Sequence, residues 1–411
     1  MSDYRAPTDD MLFVLEHIAG LPELANRKGY DHADLETVEG VLGEAARFME
    51  EQLAPLNQKG DQEGLVVENG QIFHPEGFAD AYARFVEAGW NGIALDESHG
   101  GGGMPWCVGL AVQEMMTASN MAFSLCPLLT QGAIDAISHH ASETLQEIYL
   151  PKMVSGEWSG TMNLTEPHAG SDVGALTTKA VPQEDGTWLV SGTKIFITYG
   201  EHELSENIIH LVLARTPDAP PGTKGISLFI VPKFLVNDDG SLGERNDLRV
   251  VSSEHKIGIH ASPTCVMSYG DESGAVGWMV GEENTGMGAM FTMMNNARLS
   301  VGLQGLSLTD RSYQQARQYS LDRKQGKAIG AQLEAGDSSP IADHADVRRM
   351  LMTMRANAEA MRCVMYANAA AIDFSNSSHD ETEREYWDAL TALLTPISKG
   401  WGTDLGVEMT S

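Results

Sequence analysis

Cysteine is scarce in this 411-residue chain: Cys107, Cys126, Cys265 and Cys363 are far apart, with no C-x-x-C pair. That scatter excludes a zinc ribbon or a disulfide scaffold and suits a reducing compartment, so a cytoplasmic protein is expected. Positive charge is also scarce, with 27 Lys and Arg against 57 Asp and Glu, a net charge of −30. Such a surface repels phosphate backbones and anionic headgroups, which argues against nucleic-acid and membrane partners. A polyanionic ligand would need a basic pocket of its own. No stretch reads as the roughly 18 apolar residues of a membrane helix, and the acidic N-terminal MSDYRAPTDDMLFVLEH is unlike a signal or transit peptide. No G-x-S-x-G elbow is present, which excludes the usual serine hydrolase. Neither His139-His140 nor Glu201-His202-Glu203 has the spacing of a metal site.

What is present is a chain too long for one ordinary core, in three textures. Residues 1–155 read mainly as helices. In LETVEGVLGEAARFMEEQLAPL, Val38, Leu42, Ala45, Phe48, Met49 and Leu53 fall on one face, and Pro151 and Gly156 read as stops. Residues 156–282 change to short β-branched and aromatic runs such as TWLVSGTKIFITYG, NIIHLVLART and GISLFIVP, divided by DG and PDAPPG turns. Residues 283–411 return to helical texture. A helical, β, helical order predicts an α+β fold and excludes a doubly wound sheet, which needs helices between its strands.

Four stretches carry chemistry. In Met162-Asn163-Leu164-Thr165-Glu166-Pro167-His168-Ala169-Gly170-Ser171-Asp172, backbone amides beside Gly170 and Ser171 can approach a pyrophosphate closely. Donors at Leu164 and Thr165 suit the edge of an isoalloxazine that gains negative charge on reduction. The second stretch is Gly192-Thr193-Lys194-Ile195-Phe196-Ile197-Thr198. The third runs from Glu254-His255-Lys256-Ile257-Gly258 through Ser262 and Thr264 to the glycines Gly281, Gly286 and Gly288; no strand and helix frame these glycines as a dinucleotide fold would. The fourth is Asn295-Asn296-Ala297-Arg298, with Gly302 and Gly305, ending in Arg323-Lys324-Gln325-Gly326.

Together these stretches resemble the acyl-CoA dehydrogenase family from about residue 35 onward. The first meets every fixed position of its T-E-P-x-A-G-S-D signature, and the second resembles G-x-K-x-W-I-T with Phe196 in place of Trp. The resemblance implies an N-terminal helical domain, a middle β domain and an incomplete C-terminal helical domain. It implies FAD held by Met162, Leu164, Thr165, Gly170, Ser171, Phe196 and Thr198. It further implies Arg323 and Gln325 reaching the flavin of a neighbouring subunit, in a homodimer or homotetramer. Here that turn is one residue short and lacks the family's Phe, with Gln325 in its place. Asn295 and Arg298 would lie near coenzyme A. The implied reaction is α,β-dehydrogenation of an acyl-CoA, with electrons passed to electron-transfer flavoprotein.

Further stretches, among them EHKIGIHASPTC and MMNNARLSVGLQG, look like a larger bacterial branch that includes 3-methylmercaptopropionyl-CoA dehydrogenases. The family's catalytic Glu usually follows a glycine-rich turn that is not found before Ser411. Where some members place it instead, one residue before the arginine, this chain has Ala297. The expectation is a C-terminally truncated enzyme whose base lies past the chain end, the alternative being an inert flavin- or acyl-CoA-binding homologue.

Overall fold

Alternation along two interior strands explains the middle of the chain. In a computed structural model, which describes residues 4–237, 239–332, 334 and 336–411, Asn207–Ala214 and Ser227–Pro232 are buried on both faces. Ile209, Leu211, Leu213, Leu228 and Ile230 point into one core. Val212, Ala214, Phe229 and Val231 point into another. The period of two in a strand sends neighbouring side chains to opposite faces, and burial of both requires near-continuous apolar sequence.

In chain order the helices are α1 (Thr8–His17), α2 (Leu21–Leu24), α3 (Leu35–Phe48), α4 (Ala54–Glu63), α5 (Phe78–Glu87), α6 (Trp106–Ser119), α7 (Met121–His140) and α8 (Glu143–Ser155), then, after the strands, α9 (Gly286–Asp322), α10 (Ala345–Ser377) and α11 (Glu381–Thr410). A hairpin, β1 (Val66–Glu68) with β2 (Gln71–Phe73), interrupts the first helical region. The main strands are β3 (Trp158–Asn163), β4 (Lys179–Pro182), β5 (Trp188–Thr198), β6 (Asn207–Ala214), β7 (Ser227–Pro232), β8 (Phe234–Val236), β9 (Leu242–Arg245), β10 (Leu248–Ser253), β11 (Thr264–Tyr269) and β12 (Ala275–Val280). Eight of them form one sheet in the order β10-β11-β5-β12-β7-β6-β3, with β4 against β5. Among the described residues its strand pairs are antiparallel except β3–β6, with one further parallel bridge between Lys179 and Arg215. The helical, β, helical order is the expected α+β arrangement.

The chain forms two compact units. One comprises 1–55, 104–121 and 298–411; the other comprises 56–103 and 122–297. In the first, Val38, Leu42, Ala45, Met49 and Leu53 are buried as their spacing predicts, carried across a π-helical turn at Met49–Leu53, while Phe48 is only half-buried. Glycine lets α9 and α11 meet backbone to backbone: a Cβ on Gly305 would lie 2.0 Å from the Gly402 carbonyl, and one on Gly302 2.4 Å from that of Ser398. The same unit buries Glu114 between the Arg362 guanidinium, 2.7 Å away, and the Tyr366 hydroxyl at 2.8 Å.

Two readings of the sequence need correction. Pro151 does not stop α8, which runs through it to Gly156 in the left-handed conformation at φ 90°. The carbonyl that Pro151 leaves unpaired belongs to Glu147, an exposed residue that water can reach. And one helix, α7, is long and apolar enough to cross a membrane, although 78% of its apolar window is buried within the protein.

Candidate functional site

The first two motifs meet through a buried ion pair. Glu166 follows β3 at the start of a loop, and its carboxylate accepts from the backbone N–H of Thr177 at 2.8 Å and of Thr178 at 3.0 Å. Both threonine hydroxyls donate to it as well, at 3.0 and 2.5 Å. Lys194 of β5, wholly buried, donates to the same carboxylate at 2.9 Å and to the Leu164 carbonyl at 3.0 Å. One strand residue on, the Ile195 N–H donates to the Thr165 carbonyl at 2.9 Å. The loop is therefore stitched to β5 through the consecutive residues Leu164, Thr165 and Glu166, which explains why these two sequences belong together.

Burial pushes the Glu166 carboxyl up, but the Lys194 ammonium and the threonine donors outweigh it and hold it at about 2. Burial pulls the Lys194 ammonium down to about 8, against the pull of Glu166, so both stay charged at neutral pH. The sequence reading passed over these two residues as candidates; a Glu and a Lys at fixed positions beside apolar runs were the available signal. Glu201 and Glu203, dismissed as metal ligands, are also structural. Glu201 holds Lys233 and, at 2.9 Å, Arg245, while Glu203 accepts from the His74 backbone at 2.8 Å.

Beyond Lys194 the strand is irregular. Cys265 of β11 pairs with Ile197, but Met267 pairs with Lys194, so β5 carries one residue too many. Such a bulge turns a side chain out of the sheet. Phe196 lies in it at φ 59°, in the left-handed region. For a residue with a Cβ that conformation costs about 1–2 kcal/mol. The ring gains little burial in return, being 59% exposed. A large aromatic held at a strained angle and shown to solvent has the shape to stack on a flat ligand, and strain of this kind gathers at functional sites. Thr198, two residues on, is half-buried, with its carbonyl accepting from the Thr161 hydroxyl at 2.7 Å.

Met162, Leu164 and Thr165 are partly buried at the end of β3, while Gly170 and Ser171 are exposed on the turn after the Glu166–Ala169 bridge. Gly170 does not adopt a positive φ, and a Cβ there would meet Thr165 at an ordinary 3.7 Å. The fold itself does not demand glycine at 170, which leaves room for a ligand as the reason. The residues of the third motif support the neighbouring strand: Lys256 donates to the Ser262 carbonyl at 2.7 Å, and Thr264 pairs with Thr198.

In α9, Asn295 is exposed, Arg298 half-buried and Ala297 buried. Arg323 and Gln325 are exposed in the helical unit, with the Arg323 guanidinium donating to the Gln325 side chain at 3.3 Å. Their turn is fixed by the Gln325 N–H to Ser339 O bond at 3.0 Å and the Ile341 N–H to Arg323 O bond at 2.8 Å.

Three family models match the chain in series. They are the acyl-CoA dehydrogenase N-terminal domain over residues 36–157, the middle domain over 161–271 and the C-terminal domain over 284–384. A 3-methylmercaptopropionyl-CoA dehydrogenase of Ruegeria pomeroyi is 47% identical over 99% of this chain and 68% of its own length. A butyryl-CoA dehydrogenase of Syntrophomonas wolfei is 38% identical over 98% and 67%. Among solved structures, an acyl-CoA dehydrogenase of Bacillus anthracis complexed with FAD shares the fold with a TM-score of 0.70 and 20% identity, covering 91% of this chain and 60% of that one.

Proposed function

The chain belongs to the acyl-CoA dehydrogenase family, and from that premise we propose that it binds FAD against Phe196 and takes 3-methylmercaptopropionyl-CoA as its acyl-CoA substrate, with electron-transfer flavoprotein as acceptor. The observation that carries the reading is the exposed aromatic ring held at a strained φ beside a loop pinned by the Glu166–Lys194 pair. When bound, FAD supplies an acceptor for the hydride leaving the β carbon of the thioester.

The remaining work falls to side chains and backbone of this chain. Phe196 covers one flat face of the ligand and keeps water from it. Donors at Leu164, Thr165 and Thr198, with Met162 beside them, orient its polar edge. Gly170 and Ser171 offer backbone and hydroxyl donors to a pyrophosphate. Asn295 and Arg298 hold the coenzyme A portion, the planar guanidinium suiting phosphate. Arg323 and Gln325 serve the flavin of a second copy, in a homodimer or homotetramer. The position before Arg298 is the buried Ala297, which carries no group that could take the α proton.

The named relatives are described as dehydrogenases, which gives an inert binder no support. The test is reconstitution with FAD followed by anaerobic addition of acyl-CoAs. Retention of flavin, with a larger spectral change for 3-methylmercaptopropionyl-CoA than for butyryl-CoA, is the expected result. A protein that retains no flavin, or prefers butyryl-CoA, would sink the reading. Bleaching itself would place a base within residues 1–411.

A further inference from the structure

Arg215 directly follows β6, and every N–H of its guanidinium is used by a backbone carbonyl. Nε donates to Leu176 at 2.9 Å, Nη1 to Pro220 at 3.0 Å and Gly225 at 3.3 Å, and Nη2 to Gly222 at 2.9 Å and to Gly174. A guanidinium has five such donors, so none is left over. All five acceptors are neutral, and among the described residues Arg215 makes no ion pair. Of the nearby carboxylates, Asp218 lies three residues on in the same connection, Asp172 sits beside Gly174, and Glu283 accepts from the Thr216 hydroxyl; among the described residues none of them pairs with Arg215. The positive charge thus stands uncancelled by a salt bridge in a chain of net charge −30.

The five carbonyls come from two turns. Gly174 and Leu176 follow directly on Gly170 and Ser171, while Pro220, Gly222 and Gly225 belong to the connection between β6 and β7. These turns touch closely, because a Cβ on Gly174 would lie 3.3 Å from the Thr223 nitrogen and 3.4 Å from the Gly222 Cα. A Cβ on Gly225 would fall 1.8 Å from the Pro220 carbonyl. Arg215 also lines a cavity of about 540 Å³ whose wall includes a second cation, Lys179, and no carboxylate.

We propose that Arg215 is a positioning residue: it locks the Gly170–Leu176 and Pro220–Gly225 turns into one rim that receives the pyrophosphate of a nucleotide ligand, a group that FAD and acyl-CoAs share. The inference rests on the flavin and acyl-CoA reading above. It acts in two ways. The fork fixes the turn amides before the ligand arrives, and its charge favours an anion at the rim.

The experiment compares the parent protein with Arg215→Met and Arg215→Lys in binding FAD against riboflavin, and butyryl-CoA against butyryl-pantetheine. Arg215→Met is expected to weaken one phosphate-bearing ligand at least tenfold and to leave its phosphate-free counterpart within twofold. Arg215→Lys should fall between, since it keeps the charge and loses the fork. A loss confined to FAD assigns the rim to the flavin, and one confined to butyryl-CoA assigns it to the substrate. Equal weakening of both members of each pair would mean a merely structural role and overturn the proposal, as would unchanged affinities. If Arg215→Met does not fold, the lysine variant decides alone, with selective weakening expected and none refuting. A parent that binds neither FAD nor butyryl-CoA would overturn the functional reading and the proposal with it. A parent that binds, with variants that match it, would overturn only the proposal.

Discussion

Replacing Lys194 with Met removes the ammonium and leaves the Glu166 carboxylate buried against the threonine donors. The magnitude follows from what the change leaves behind. Burial opposes the charge on both groups, and the Glu166 carboxylate is held charged by the Lys194 ammonium and the threonine donors. Breaking a buried pair by removing one partner leaves the other charge without its partner and costs about 3–5 kcal/mol.

Urea unfolding should show Lys194→Met destabilised by that amount, Glu166→Gln destabilised less or similarly, and the double variant markedly better than the sum of the two. The pH dependence has a definite sign. The Glu166 contribution is fully present above its ordinary value of 4.5 and is lost as pH falls through about 2, so the parent should lose stability across that window and the double variant should lose less. Additive single effects, or a Lys194→Met protein as stable as the parent, would refute the claim that this pair pins the loop to β5.

Phe196→Gly should leave stability unchanged or raise it by up to about 1 kcal/mol, because glycine accepts the left-handed backbone and little burial is lost. The same change should weaken FAD binding at least tenfold, measured by visible-spectrum titration beside a thermal melt. Gly305→Ala should destabilise the helical unit by several kcal/mol, since its methyl would lie 2.0 Å from the Gly402 carbonyl; a Tm within two degrees or so of the parent would count against the close α9–α11 contact.

The order of elements was legible because period-two and helical apolar patterns are local. So were the buried positions of α3, which survive a π-helical turn that no pattern announces. The β1–β2 hairpin was missed because its strands are three residues each and expose most of their side chains. Pro151 misled because the tolerance of an interior proline depends on whether the orphaned carbonyl meets water, which the sequence does not encode. At the site, the motif residues were legible as types. The bulge that turns Phe196 outward was not, because it exists only in the register of β5 against β11. Arg215 was invisible for a related reason: a lone cation just past an apolar strand acquires its meaning from the carbonyls that two turns bring around it.

The central claim is that the bulged end of β5 and the loop pinned to it form a flavin site. Its most direct test is titration of the protein of residues 1–411 with FAD, followed by the visible flavin band and by the flavin retained after gel filtration. The account predicts saturation at one FAD per chain, with binding weakened in Phe196→Gly while the fold persists. A parent protein that retains no flavin, or a Phe196→Gly protein that binds it as tightly as the parent, would contradict it.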